Sequence, residues 1–382
     1  MILYLSSATS RAVFEEKFLK GEIVGVNPAQ KFNYNLIRGL SLFTPVTAIS
    51  ALPVRSDVKS ERICVGEDGV QYICIAAVRG KTRKIFNIIN YKRELKRIVK
   101  RERPEWIVCD AVSLSSSWAA RYAARKYKIP CAAVVTDIPG LISGKRGIFE
   151  TLSRKFLERY DAYILLTEAM NDVVNPRRKP YLIMEGSCFP EPKEARETPK
   201  EKICLYSGAL WRNAGLETMM RGFVAAGIAD AQLHLYGDGA FRSGVEAFCS
   251  SHENVKYMGC VSSEEIVKRQ REATLLVNPR RTDLPFTKYS FPSKTLEYML
   301  SGTPVLMTRL PGVPEEYEPY VYFVEEESVD GFAAAFREIL GKNEAELCEK
   351  GEKARKFVAE KKSYAVQAER IDRFLCGLKG KN

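Results

Sequence analysis

Short runs of β-branched and aromatic residues alternate with longer segments whose apolar positions recur at helical spacing, through most of the chain. In the first half the strand-like runs are Ile2 to Leu5, Val46 to Ile49, Tyr72 to Ala76, Trp106 to Cys109, Ala132 to Val135 and Tyr163 to Leu166. Helical stretches such as Asn87 to Arg101 and Ser116 to Lys126 lie between them. A second series follows: Ile203 to Tyr206, Gln232 to Tyr236, Val255 to Tyr257, Leu275 to Val277, Pro304 to Met307 and Val321 to Phe323. This alternation predicts an α/β protein of two Rossmann-like, doubly wound parallel sheets, with a ligand outside the carboxyl ends of the strands, in the cleft between two domains.

The stretch Pro190 to Lys202 has three prolines, no aromatic residue and nearly alternating charge, which reads as a linker. The expected organisation is therefore a first domain over 1–190, a linker over 191–202 and a second domain over 203–360. A terminal helix over 361–382 has the option of crossing back to the first domain.

Charge changes this picture. Residues 1–200 hold 34 basic and 21 acidic side chains, a balance of +13, whereas the remainder of the chain holds 25 basic and 26 acidic. The basic half implies an anionic partner. Between Lys81 and Arg103 ten Lys or Arg are interleaved with Ile85, Phe86, Ile88, Ile89, Leu95, Ile98 and Val99, and Lys145 to Arg159 repeats the pattern around Phe149, Leu152 and Phe156. Each stretch reads either as an interfacial helix on an anionic membrane surface or as a sheet-packed helix with a solvated basic face. The ten cysteines are scattered without a C-x-x-C pair and read as small buried hydrophobes of a reducing compartment. Met1 to Ala8 reads as a strand rather than a leader, and no run of apolar residues is long enough to span a membrane. The expected location is cytoplasmic, including a peripheral position on the inner face of the plasma membrane.

The segment Lys288 to Met307 carries the most specific chemistry. Pro292 and Ser293 suit a helix start, Leu296, Met299 and Leu300 give an apolar face, Gly302 ends the helix and Pro304 opens the next strand. The helix end, the Ser293 hydroxyl and the Lys294 ammonium favour a diphosphate. Glu297, one turn on, shares a face with Lys294 and suits two ribose hydroxyls. Gly237 and Gly239 form a turn after a strand, and Arg280 and Arg281 follow another strand end.

This stretch, with the loops before it, resembles the C-terminal domain of the retaining GT-B glycosyltransferases of group one, which include bacterial polysaccharide enzymes. The matching elements, in order, are Tyr206-Ser-Gly-Ala-Leu210 with Gly215, Leu235-Tyr-Gly-Asp-Gly239, Val255-Lys-Tyr-Met-Gly259-Cys-Val261, Asn278-Pro-Arg280, Phe291-Pro-Ser-Lys294, Glu297 and Ser301-Gly-Thr-Pro-Val305. The first half contributes Val135-Thr-Asp137-Ile-Pro139 and Leu166-Thr-Glu168-Ala-Met170.

The resemblance implies transfer of a sugar from a UDP- or GDP-sugar to a lipid-linked or oligosaccharide acceptor in surface-glycan synthesis, without metal or other cofactor. It implies a donor site of Gly208, Arg212, Gly237, Cys260, Val261, Ser293, Lys294 and Glu297, with Tyr289, Ser290 and Phe291 near the donor sugar. Asp137, Arg280 and Lys294 take the catalytic positions. The family's first acidic position is Tyr289 here, its phosphate-binding Arg and Lys positions are Ala209 and Ala214, and its N-terminal histidine is missing. Arg212 or Arg280 would replace the lost cations, and Asp137 stands near the histidine's place. One rival reading is a degenerate GT-B partner that binds nucleotide-sugar without transfer. A nucleic-acid-binding protein is the more distant one, since the basic half lacks aromatic residues spaced as a stacking platform.

Overall fold

The computed structural model describes residues 1–23, 28–77, 83–139, 141, 148–190 and 202–379. It contains β1 (Ile2–Ser6), α1 (Arg11–Leu19), α2 (Pro28–Ser41), β2 (Val46–Ser50), β3 (Ile63–Glu67), β4 (Val70–Cys74), α3 (Arg83–Glu102), β5 (Trp106–Asp110) and α4 (Leu114–Tyr127). Then come β6 (Cys131–Val135), α5 (Ile148–Leu157), β7 (Ala162–Leu165), α6 (Glu168–Val174) and β8 (Tyr181–Ile183). The second series is β9 (Lys202–Ser207), α7 (Leu216–Ala226), β10 (Ala231–Tyr236), α8 (Arg242–Ser250), β11 (Val255–Gly259), α9 (Ser263–Glu272), β12 (Leu275–Asn278) and α10 (Ser293–Leu300). It closes with β13 (Val305–Thr308), β14 (Tyr322–Val324), α11 (Val329–Leu340), α12 (Glu344–Lys361) and α13 (Tyr364–Lys379).

These elements form two compact units. The first runs from Met1 to Ser187 and takes in the chain again from Ser363; the second is Cys188–Lys362. The division falls at Cys188 rather than at 190, because the Cys188 N–H donates to the Lys362 carbonyl (3.1 Å) and its thiol lies against the carbonyls of Val358 and Lys362. The expected linker, 191–202, lies outside the described residues except for Lys202.

The first unit is an eight-stranded sheet in the order β3-β4-β2-β1-β5-β6-β7-β8. It is mixed rather than wholly parallel, since β3 runs antiparallel to β4 through a hairpin at Asp68 and Gly69. Both turn residues have positive φ (51° and 76°), the backbone that a tight Asp-Gly hairpin requires. The inner strands β1, β2, β5, β6 and β7 are buried along their whole length, as strands covered by helices on both faces must be. α13 returns to this unit: Gly39 in α2 leaves no room for a Cβ against Ala368 and Tyr364, and Trp106 Nε1 donates to the Leu375 carbonyl (3.1 Å).

The second unit is a six-stranded, all-parallel sheet in the order β11-β10-β9-β12-β13-β14. Alternation along β9 divides the core. Cys204 and Tyr206 pack with α7 and α11 on one face, while Leu205 packs with α10 and α12 on the other. The order reverses between β9 and β12, so the turns after these two strands diverge at the carboxyl edge of the sheet.

Of the cysteines, none is in a disulfide, and Cys64, Cys260, Cys348 and Cys376 are exposed, against the expectation of uniform burial. They occupy outward positions of edge strands, helices and turns, where an apolar residue of this size costs little. No helix among the described residues is long and apolar enough to cross a membrane.

Candidate functional site

Of the predicted donor-site residues, Gly208, Gly237 and Glu297 gather around the Lys294 side chain. Lys294 is the second residue of α10, and its ammonium reaches back over the end of β9, where Nζ donates to Tyr206 Oη (3.1 Å) and lies 4.4 Å from the centre of the same ring. Tyr206 Oη in turn donates to the Ala209 carbonyl (2.8 Å), which fixes the phenol beneath the turn. The turn itself is glycine for a steric reason. A Cβ on Gly208 would lie 1.5 Å from Lys294 Nζ, and one on Gly237 would lie 1.9 Å from the Gly208 carbonyl oxygen. Both have positive φ, 151° and 127°. The turns after β9 and β10 are laced together: Gly208 N donates to Tyr236 O, Leu210 N to Asp238 O and Gly237 N to Gly259 O, each at 2.9 Å.

Burial pulls the Lys294 ammonium down from 10.5 to about 8, and the nearby Arg280 pulls the same way against the opposing attraction of Glu297. A half-buried cation whose charge burial disfavours gains from an anion brought beside it. Arg280, at the end of the turn after β12, is similarly shielded, and burial lowers its pKa. Its Nη2 donates to Ser290 Oγ (2.8 Å), and its guanidinium lies 5.2 Å from the Phe286 ring centre.

The end of α10 adds its own field. Pro292 occupies the cap position, no side chain caps the helix, and no acidic residue sits in its first turn, so the positive end of the dipole is not neutralised locally. Ser293 is exposed at this end and Glu297 is half-buried one turn on. One turn beyond Lys294 the helix is anchored by Tyr298, whose Oη donates to the Ser207 carbonyl (3.1 Å) and accepts from the Ser207 N–H (2.9 Å). Tyr206 and Tyr298 were not singled out by sequence reasoning. Tyr298 carried a signal, since it shares a helix face with Lys294, whereas Tyr206 stood in the sequence only as the first residue of the matched Tyr206-Ser-Gly-Ala-Leu210 turn.

The remaining predicted residues are placed elsewhere in the same unit or outside it. Phe291 is buried against Tyr317 (5.4 Å between ring centres), a packing role; Tyr289 is half-buried, with Lys288 over its ring. Cys260 and Val261 are exposed beyond β11. Arg212 is largely exposed (side chain 77%), stacks over Phe241 (4.8 Å) and lies 3.8 Å from Glu217. It lines a cavity of about 690 Å³ among the turns that follow β9, β10 and β12, together with Trp211, Asn213, Ser243 and Arg281.

Asp137 belongs to the first unit. It follows β6, accepts from the Ile138 N–H (2.7 Å), and burial raises its pKa. A second carboxylate of that unit, Asp110, went unnoticed in the sequence because it ends an apolar run. It is fully enclosed at the end of β5, accepting from Asn33 Nδ2 (3.1 Å) and the Val112 N–H (3.2 Å), and burial pushes its pKa up to about 6. Among the described residues no cluster of His, Cys, Asp and Glu is arranged to hold a metal ion.

Comparison with known proteins bears on the second unit first. Residues 201–342 match the family model of glycosyl transferases group 1. A putative teichuronic acid biosynthesis glycosyltransferase, TuaH, of Bacillus subtilis is 31% identical over 91 residues. That match spans 24% of this chain and 23% of the relative. Among solved structures, sucrose-phosphate synthase from Thermosynechococcus elongatus superimposes with a TM-score of 0.72 at 16% identity, covering 100% of both chains. HepE of Anabaena, solved in complex with UDP, gives 0.66 at 11% identity, covering 98% of this chain and 99% of that one. The lipopolysaccharide outer core galactosyltransferase WaaB gives 0.64 at 13% identity over 98% and 99%. The chain thus has the GT-B fold, two Rossmann-like α/β units in series, and within its second unit residues 201–342 are similar to the group 1 glycosyl transferases.

Proposed function

We propose that the protein is a glycosyltransferase that moves a sugar from a nucleoside-diphosphate donor, UDP or GDP, to a glycan acceptor in cell-surface polysaccharide synthesis, with retention and without a metal. The observation that carries the reading is Lys294, a partly desolvated cation at an uncapped helix end, held by Tyr206 in the space a glycine turn leaves open. A leaving diphosphate accumulates negative charge as the glycosidic bond breaks, and a preorganised ammonium and helix end stabilise that charge without reorganising at the moment of reaction. In this reading Gly208 and Gly237 admit the phosphates closely, Ser293 adds a hydroxyl, Arg280 supplies the second cation and Glu297 holds the ribose. Tyr289, Ser290 and Phe291 border the donor sugar, and Cys260 and Val261 receive the base. Asp137 is the candidate ionisable group of the acceptor side.

The UDP complex of HepE and the teichuronic acid assignment of the Bacillus relative support the donor class and the polysaccharide setting. The test is calorimetric titration of UDP, GDP, ADP and dTDP without metal, followed by mass spectrometry of products from the matching sugar nucleotides. Binding of one diphosphate with product formation is expected; failure of all four to bind would overturn the reading. Lys294→Ala should weaken the preferred diphosphate by about 10- to 100-fold, the loss of one charge-assisted contact. Glu297→Gln should weaken it less.

Tyr289 in place of a carboxylate favours a second reading, a nucleotide-sugar-binding partner that does not transfer. Binding of the donor without turnover would select it. An anionic membrane as the acceptor's setting is supported by α3, which buries Tyr91, Leu95 and Ile98 but exposes Ile85 (63%), Phe86 and Ile89 beside its basic residues. Lys145 and Arg146 of the other basic stretch lie outside the described residues. Absence of binding to anionic vesicles at low salt would remove this part.

A further inference from the structure

We propose that the cavity beside Trp211 is a carbohydrate subsite that binds an acidic pyranose residue, a hexuronate or a sugar phosphate, of the acceptor glycan. Its assignment to an acceptor rests on the transferase reading; its binding chemistry does not. The cavity, about 690 Å³, falls within the usual range for small-molecule sites and has room for a sugar residue and its substituents.

Its walls are built rather than incidental. Phe241 N donates to the Leu210 carbonyl (2.9 Å), and a Cβ on Gly244 would lie 2.3 Å from the Phe241 ring, so glycine at the start of α8 makes room for that ring in the cavity wall. A Cβ on Gly239 would meet the Leu210 carbonyl at 2.4 Å, which locks the turns after β9 and β10 against each other. On this floor Trp211 stands 54% exposed. An indole held in water by a rigid turn offers an apolar face to the C–H side of a sugar ring.

The rim is cationic. Arg212 and Arg281 line the cavity and, among the described residues, no carboxylate does, although Asp283 holds the Nε–Nη2 side of Arg281. Arg212 lies 3.8 Å from Glu217 Oε2, beyond hydrogen-bond distance, while Glu217 Oε1 holds Arg221 (3.0 Å), so the Arg212 fork is open to another acceptor. Arg281 is oriented by Asp283 through Nε (2.9 Å) and Nη2. Guanidinium groups match a carboxylate or phosphate in planar, two-point geometry, while Asn213 and Ser243 offer hydrogen bonds to hydroxyls. The Phe241 face is already taken by Arg212, which leaves one open aromatic face, suited to a sugar more than to a sandwiched base.

The experiment uses the full chain and follows tryptophan emission and calorimetric heat on adding methyl glucuronide, glucose 1-phosphate, methyl glucoside or uridine. At least one acidic sugar should bind, about fivefold or more tighter than the neutral glucoside, and saturating UDP should leave that binding in place. Binding of glucuronide alone, or of the phosphate alone, identifies the anion. Trp211→Ala should weaken it about tenfold, and Arg212→Gln should erase the preference for the acidic sugar over the neutral one. The proposal is overturned by absence of binding of both acidic sugars, by equal binding of acidic and neutral sugars, by indifference to Trp211→Ala, or by uridine displacing the probe. Absence of binding of all four nucleoside diphosphates with retained glucuronide binding at Trp211 would instead remove the transferase reading and keep the subsite.

Discussion

The carboxyl edges of the two sheets are finished in opposite ways. In the first unit the ends of β1 and β5 are filled by the protein's own polar side chains: Gln30 exchanges two hydrogen bonds with the Thr9 backbone (3.0 and 2.8 Å), and Tyr4, Asn33 and Asp110 form a buried chain of 2.6 and 3.1 Å bonds, while Ser50 Oγ at the end of β2 is buried without a hydrogen-bond partner among the described residues. In the second unit the corresponding positions after β9 and β10 are glycines, and the nearest charged group is a cation with a phenol for a partner. The same parallel-sheet architecture thus produces a self-satisfied edge and a receptive one. What separates the ends of β1 and β5 from those of β9 and β10 is the side chains of a few residues, since Asn33 and Asp110 already spend their hydrogen bonds on each other.

The largest expected effect tests the receptive edge as a structure. Gly237→Ala would drive a Cβ into the Gly208 backbone, which cannot move aside, at a φ that disfavours side chains. It should cost about 2 kcal/mol or more in denaturant unfolding. Gly208→Ala meets a flexible lysine end instead. Its cost in stability should be smaller, with the loss appearing in nucleotide affinity as Lys294 is displaced. Similar stability losses for both, with affinity intact, would mean that the turn is only a fold element.

The self-satisfied edge makes a pH prediction of its own. Asp110 has its folded pKa raised from 3.8 to about 6, so the folded state holds the proton more tightly than the unfolded state. The stabilisation that this confers is complete below pH 3.8 and is lost as pH rises through 6. Asp110→Asn should therefore gain on the native protein between pH 4 and pH 7 in thermal unfolding. A constant difference across that range would show that Asp110 is not buried as described. The smallest effect is the control: Gly66→Ala, in β3 with open space around the added Cβ, should change stability by no more than about 0.5 kcal/mol.

Legibility followed the same contrast. The strand runs and the helix at Ser293 were readable because apolar periodicity reports directly on burial, and α10 occupies the span that its Pro292, Ser293 and Gly302 punctuation marks. The β3-β4 hairpin was overlooked although Asp68-Gly69 is a strong turn signal, because the exposed alternation of Ile63 to Glu67 buries little. β8 has only three residues, too short for any periodicity. In the candidate site, Lys294 could be found from its place at a helix start. Its partner Tyr206 lies 88 positions away in an apolar strand, and nothing local in the sequence announces that pairing. Asp110 was hidden in the same manner, its environment made by Asn33 from another element.

The central claim is that the Lys294 ammonium receives the diphosphate, and its most direct test is the dissociation constant for UDP or GDP, whichever binds, measured from pH 7 to pH 9, below the deprotonation of the nucleobase, on the native protein and on Lys294→Met. Burial lowers the Lys294 pKa to about 8, and an anion beside it favours the charged form. Native affinity should therefore fall as pH rises above 8, towards about tenfold per unit, while the diphosphate itself stays ionised throughout. Lys294→Met should bind more weakly at pH 7 and show a flat profile over the same range. Equal affinity of the two proteins at pH 7, or parallel pH profiles, would contradict the account.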